Sequence, residues 1–198
     1  KQYFHDYRMR NADFTVDLAT GSTTYHPTAQ VTDWRVTMSD TGPETLKGAR
    51  IKRIAQHIDT DRFMVPYGDG FSNTRLTELL DSNINSGRRA TSSGVRMPSR
   101  FGSVKTDENG NILSWQEKPV LDEYINCGFF VFKREFLDYL SEDESCDLEK
   151  EPLERLAAEG QLSMYRHTGF WQCMDTKREM EKLEELWQSG KAPWKSWE

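Results

Sequence analysis

Residues 62–73, "RFMVPYGDGFSN", set one carboxylate between two glycines at the end of an apolar run. Asp and Gly are turn formers, so a tight reversal is one reading of Gly68-Asp69-Gly70. The C-terminal ends of strands in open α/β sheets are where ligands bind, so a metal-holding Asp69 is the other. Four further clusters carry groups of similar promise. In "WQEKP", Glu117 and Lys118 end a strand pattern before a proline. They form either a solvated edge or a charged pair directed into a cleft. In "INCGFFVF", Asn126 and Gly128 interrupt an apolar strand. A polar amide there needs partners, supplied either by a bulge or by sugar hydroxyls. In "GFWQCMDT", Asp175 precedes a helix pattern. It is either the helix N-cap or a second carboxylate converging on Asp69. In "TGPETLKGARIKR", Gly48 and the bases Arg50, Lys52 and Arg53 lie on one helical stretch, which is either an exposed face or a ligand border.

The residue types narrow the chemistry. No Ser-His-Asp arrangement is present. The four histidines, His5, His26, His57 and His167, have no metal-ligand spacing. Two aspartates with a few lysines and arginines fit Mg²⁺-assisted phosphoryl chemistry. That ion takes one or two carboxylates plus substrate phosphates. Such a reaction needs positioning and charge neutralisation more than a covalent nucleophile.

These groups need a scaffold, and hydrophobic periodicity supplies one. Residues 13–17, 33–40, 63–67, 90–97, 125–132 and 161–167 read as strands. Residues 101–118 read as a hairpin of two short strands turning at Glu108-Asn109-Gly110-Asn111. Residues 1–11, 44–57, 76–86, 136–140, 147–159 and 176–189 read as helices, with Thr74 as a cap, and Gly160 and Gly190 closing the last two. Residues 18–32 are polar and read as a small insertion. Strands alternating with helices predict an α/β fold on a mixed sheet in a single domain.

The 198 residues suffice for one domain with a sizeable core. A net charge of −6 argues against a general nucleic-acid binder, which needs a basic surface. The three cysteines are widely spaced and form no C-x-x-C pair, so a reducing cytoplasm is expected. No apolar run has the length of a membrane span.

Taken in order, the clusters resemble the sugar-1-phosphate nucleotidyltransferases, most closely the glucose-1-phosphate cytidylyltransferases. The resemblance lies in "DTG" with "GARIKR", "YGDG", "RFGSV", "QEKP", "INCGFFVF", "EKEPLERLAAEGQL", "GFWQCMDT" and the closing "LWQSGKAPWKSWE". It implies a Rossmann-like, mostly parallel mixed sheet. It implies transfer of a cytidylyl group from CTP to α-D-glucose 1-phosphate, giving CDP-glucose and pyrophosphate. Asp69 and Asp175 are then the Mg²⁺ ligands, and Lys118 the contact to the sugar phosphate. Glu117, Asn126, Gly128 and Glu151 read glucose hydroxyls, Tyr67 lines the pocket, and Gly48, Arg50 and Gly68 border the nucleotide. A homo-oligomer supplying CDP-sugars for bacterial O-antigen and lipopolysaccharide is the implied context. The family's opening strands and Gly-rich phosphate loop have no counterpart here. A non-catalytic relative that retains sugar-phosphate binding therefore stands as an alternative, beside a uridylyl- or thymidylyltransferase.

Overall fold

The structure is a computed structural model that describes residues 1–26 and 34–197. It divides into two compact units, Lys1–Gly42 and Pro43–Glu198.

The first unit opens with two short helices, α1 (Gln2–His5) and α2 (Tyr7–Asn11). Strands β1 (Phe14–Val16) and β2 (Thr23–Tyr25) follow and pair antiparallel, with Phe14 opposite Tyr25. Their turn is set by the Asp17 carboxylate, which accepts the backbone N–H groups of Ala19 and Thr20. Part of the expected polar insertion is thus a hairpin, and its remainder, from residue 27, lies outside the described residues. The strand expected over 33–40 is not formed at 34–40. Trp34, Val36 and Met38 do alternate, but among the described residues no strand takes up their backbone N–H and C=O groups, and alternation alone makes no strand.

The second unit is built on a four-stranded sheet. Its helix α3 (Lys47–Arg53) leads to β3 (Arg62–Pro66), which turns into β4 (Gly70–Ser72). Helix α4 (Leu76–Ser86) and strand β5 (Ala90–Val95) follow. The hairpin β6 (Ser103–Thr106) and β7 (Ile112–Gln116) turns on the Asp107 carboxylate, which accepts N–H groups from Asn109 and Asn111. The long strand β8 (Ile125–Lys133), helix α5 (Glu151–Ala158), strands β9 (Leu162–His167) and β10 (Trp171–Cys173), and helix α6 (Lys177–Gln188) complete it.

The sheet order is β3-β8-β5-β9. The mixed α/β class holds. Only β5 and β9 run parallel, while β8 is antiparallel to both of its neighbours, so the described sheet is mixed rather than mostly parallel. β8 is apolar on both faces because it is central, and buried strands read as continuous apolar runs. Phe130 and Phe132 carry the core with Phe136, Leu148 and Leu156, all essentially inaccessible to solvent. The Phe132 and Phe136 rings stack at 4.0 Å. Each such side chain contributes roughly 1.5–3 kcal/mol by leaving water.

Helix ends explain two departures from expectation. Arg75, not Thr74, is the N-cap of α4, and the Thr74 hydroxyl is paired instead with Ser72 at 2.6 Å. At α6 the N-cap is Thr176, which accepts the Glu179 N–H while the Glu179 carboxylate reaches back to the Thr176 N–H. No helix is long and apolar enough to cross a membrane among the described residues.

Candidate active site

Two distant stretches meet where β4 pairs with β10. The register sets Gly70 opposite Cys173. Beyond that pair, the Met174 N–H donates to the Asp69 carbonyl at 2.9 Å. Asp69 and Asp175 therefore stand on adjoining segments at the open end of one ladder, both exposed. The N-cap reading of Asp175 is excluded, because Thr176 takes that place. Cys173, Asp175 and Glu179 each bring a ligand atom within 4.8 Å of the other two. Glu179, however, accepts bonds from the Asp175 and Thr176 N–H groups and the Thr176 hydroxyl, so it serves the capping box. Burial pushes the Cys173 thiol up to about 11, aided by its bond to Asp175 and the charges of Glu179 and Asp175, so it is a neutral neighbour at pH 7. Two exposed carboxylates with an open side suit a hard divalent cation that keeps its other positions for water and phosphate.

Three sequence clusters are locked together beside this ladder. The register of β8 against β5 shifts between Ser92 and Gly94, leaving residues 127–129 opposite Ser93 alone. This is a bulge, a device that redirects side chains near functional sites. Its Cys127 carbonyl accepts the Trp171 indole N–H at 2.9 Å. The same carbonyl lies 3.3 Å from where a Cβ on Gly70 would stand, so the second glycine of the turn is required by close packing. Gly128 has φ +79°, and a Cβ there would come within 2.8 Å of the Tyr67 ring. The Tyr67 N–H donates to the Gly128 carbonyl at 2.7 Å. The Asn126 side-chain oxygen accepts the Gly128 N–H at 2.8 Å and the Ser92 hydroxyl at 3.3 Å, and the same amide also acts on the Tyr67 phenol. Tyr67, Asn126 and Gly128, expected apart from the metal pair as the sugar-reading set, are thus one connected wall.

An open cleft of about 470 Å³ lies on the other side of Tyr67, lined by Lys47, Arg50, Ile51, Val65, Tyr67, Gly68 and Asp69 among others. Arg50, Gly68 and Asp69 meet here. The Arg50 guanidinium donates to the Thr45 and Pro43 carbonyls at 2.7 and 3.0 Å, which fixes the loop entering α3. Gly48 is buried against Cys146, whose carbonyl oxygen would be 2.8 Å from an added Cβ. Its lack of a side chain therefore serves helix-to-loop packing.

Two polar residues of this region escaped the sequence reading. The Tyr67 hydroxyl donates to Glu149 Oε1 at 2.5 Å, and the Lys47 ammonium donates to Glu149 Oε2. Burial acts to raise the Glu149 carboxyl, but the bonds from Lys47 and Tyr67 outweigh it and hold it below its ordinary value. Burial, reinforced by Glu149, pushes the Tyr67 phenol far up, so it stays protonated. Glu151, by contrast, opens α5 and borders a different hollow with Asp147, Lys150 and Pro152. Glu117 and Lys118 end the β6–β7 hairpin, exposed and outside the lining of the Tyr67 cleft. Their segment is tied to residues 97–99 by the Ser99 N–H to Pro119 carbonyl bond and the Leu121 N–H to Met97 carbonyl bond. Lys118 has φ +46°, a left-handed conformation that non-glycine residues seldom adopt outside functional or turn positions.

Residues 27–185 match the nucleotidyl transferase family. Proteins named glucose-1-phosphate cytidylyltransferase from Salmonella typhi and Salmonella typhimurium are each 39% identical over 200 residues, spanning 100% of this chain and 77% of theirs. Proteins named as guanylyl-, uridylyl- and adenylyltransferases are similar at 31–32% identity over 61–65% of this chain. Among solved structures, HddC from Yersinia pseudotuberculosis superposes with a TM-score of 0.56 at 18% identity, covering 75% of this chain. The chain spans 64% of the length of that structure.

Proposed function

The chain belongs to the nucleotidyl transferase family, and from that premise we propose that it transfers a cytidylyl group from CTP to α-D-glucose 1-phosphate, yielding CDP-glucose and pyrophosphate. A phosphate oxygen of the sugar attacks the α-phosphorus of CTP, and the bond to the β-phosphate oxygen breaks. The observation that carries this reading is the β4–β10 pairing, which brings the segments holding Asp69 and Asp175 together through the Met174 N–H to Asp69 carbonyl bond and so supports a shared role for the two carboxylates. These two would hold Mg²⁺, whose chemistry is to neutralise the triphosphate and polarise the α-phosphate when bound. Lys118 offsets the charge of the incoming sugar phosphate. Glu117, Asn126 and Gly128 read glucose hydroxyls. Tyr67 walls the pocket, while Gly48, Arg50 and Gly68 border the nucleotide. The family match begins at residue 27, in the first compact unit, and runs into the second, which supports treating both as one nucleotidyltransferase domain.

Cytoplasmic CDP-sugar supply for O-antigen and lipopolysaccharide belongs to the same reading. So does assembly as a homo-oligomer, supported by Leu113 and Trp115, which stand about two-thirds exposed on the β6–β7 hairpin. Light scattering measures that mass. The functional test is pyrophosphate release by the full-length protein with CTP, glucose 1-phosphate and Mg²⁺. Asp69→Asn and Asp175→Asn should each lower turnover at least about 100-fold with unchanged thermal stability. Unaltered turnover in either variant removes that residue from the metal site. A panel of CTP, UTP and dTTP tests the base, and faster turnover of UTP or dTTP replaces the cytidylyl assignment.

A further inference from the structure

One carboxylate bonded to two residues of the cleft wall joins elements that are distant in sequence. Glu149 accepts the Tyr67 hydroxyl through Oε1 at 2.5 Å and the Lys47 ammonium through Oε2. The Lys47 Nζ also stands 4.9 Å from the centre of the Tyr67 ring. On its opposite side the same tyrosine bears directly on the bulge. Its N–H donates to the Gly128 carbonyl, and its ring fills the space that a side chain at Gly128 would need. Tyr67 is therefore held at its hydroxyl end by Glu149 and at its backbone end by Gly128. Displacing the hydroxyl end swings the ring against, or away from, the segment that carries Asn126.

We infer that Glu149 is a positioning residue: held by Lys47, it fixes Tyr67, and through Tyr67 it sets the Asn126–Gly128 wall that reads the sugar. This rests on the proposed transfer to a sugar phosphate. Glu149 itself touches neither reacting phosphate. Lys47 neutralises it, so that a carboxylate beside a polyanionic substrate does not repel it.

The test uses the full-length protein and separates KM from kcat. Glu149→Ala should raise KM for glucose 1-phosphate about 10-fold, with kcat and the KM for CTP each changing less than about 3-fold. Tyr67→Phe should do the same, and adding Glu149→Ala to it should add little, because both break one linkage. Glu149→Gln, which keeps an oxygen for the Tyr67 hydroxyl, should recover most of the loss. Additive effects of the two changes, or no rise in the sugar KM, overturn the inference. Should Glu149→Ala fail to fold, Tyr67→Phe and Glu149→Gln carry the same comparison. A parent protein that neither releases pyrophosphate nor binds glucose 1-phosphate overturns the functional reading, and this role with it. A working parent matched by its Glu149 and Tyr67 variants overturns the positioning role alone.

Discussion

Adding a single methyl group at Gly128 should reveal how tightly the bulge is built. The residue has φ +79°, and an added Cβ would stand 2.8 Å from Tyr67 Cδ2 and 2.9 Å from its Cβ and Cγ. Two costs add. Placing an L-residue in the left-handed region costs about 1–2 kcal/mol. Forcing a carbon into packed neighbours costs about 1–3 kcal/mol more. Gly128→Ala should thus lose about 2–5 kcal/mol, a large part of the 5–15 kcal/mol typical of a domain. Gly110→Ala is the internal control. Its φ is +84°, yet nothing lies within 4 Å of the added carbon, so only the conformational cost of about 1–2 kcal/mol applies. Urea denaturation followed by tryptophan fluorescence measures both, and the midpoint of Gly128→Ala should fall by about 1 M or more. A double-mutant cycle with Tyr67→Ala then locates the crowding. That change removes two of the three crowding atoms and should relieve part of the Gly128→Ala penalty. Equal penalties at Gly128 and Gly110, or an unchanged Gly128 penalty when Tyr67 is truncated, would refute the steric argument.

Three other outcomes can be measured. Thr176→Ala should destabilise the protein by about 1 kcal/mol through loss of the α6 cap. The Thr176 hydroxyl, with the backbone N–H groups beside it, holds the Glu179 carboxyl below its ordinary 4.5, so the cap's contribution is full above that pH and fades as pH falls through the lower folded value. Acid titration of α6 by circular dichroism, with and without Thr176, reads this. Asn83→Leu should cost about 1–3 kcal/mol in urea denaturation. The fully buried amide accepts from Arg62 Nε at 3.1 Å and donates to the Thr91 hydroxyl at 3.0 Å, and both partners lose it. Cys127 is 1% exposed, so at pH 8 it should react with a thiol reagent only after unfolding.

Local chemistry was legible wherever the residues themselves impose it. Leu76–Ser86 forms as its periodicity predicts, and Gly160 and Gly190 follow α5 and α6 with positive φ, as residues that end helices do. The 103–116 hairpin follows from Asp107 and Gly110. What stayed hidden depends on partners far along the chain. β4 and β10 are three residues each, too short to show a period, and exist because each finds the other. Residues 34–40 have the period and pair in no ladder among the described residues. Glu149 reads in sequence as one more charge on the expected 147–159 helix, and only its meeting with Tyr67 and Lys47 singles it out. Gly48 shows the same limit: its sequence context does not tell that Cys146 packs directly against it.

The β4–β10 ladder also sets a sequence of events during synthesis. Asp69 leaves the ribosome long before Cys173 exists to pair with Gly70. At about 5–20 residues per second, several seconds pass in which the turn has no second strand. β5 waits equally for its parallel partner β9. Both closures wait for residues 162–173, so the segments carrying Asp69 and Asp175 meet only after β3, β5 and β8 have been made. A nascent chain ending before residue 162 would hold β3, β8 and β5 with neither β9 nor β10 to complete the two ladders.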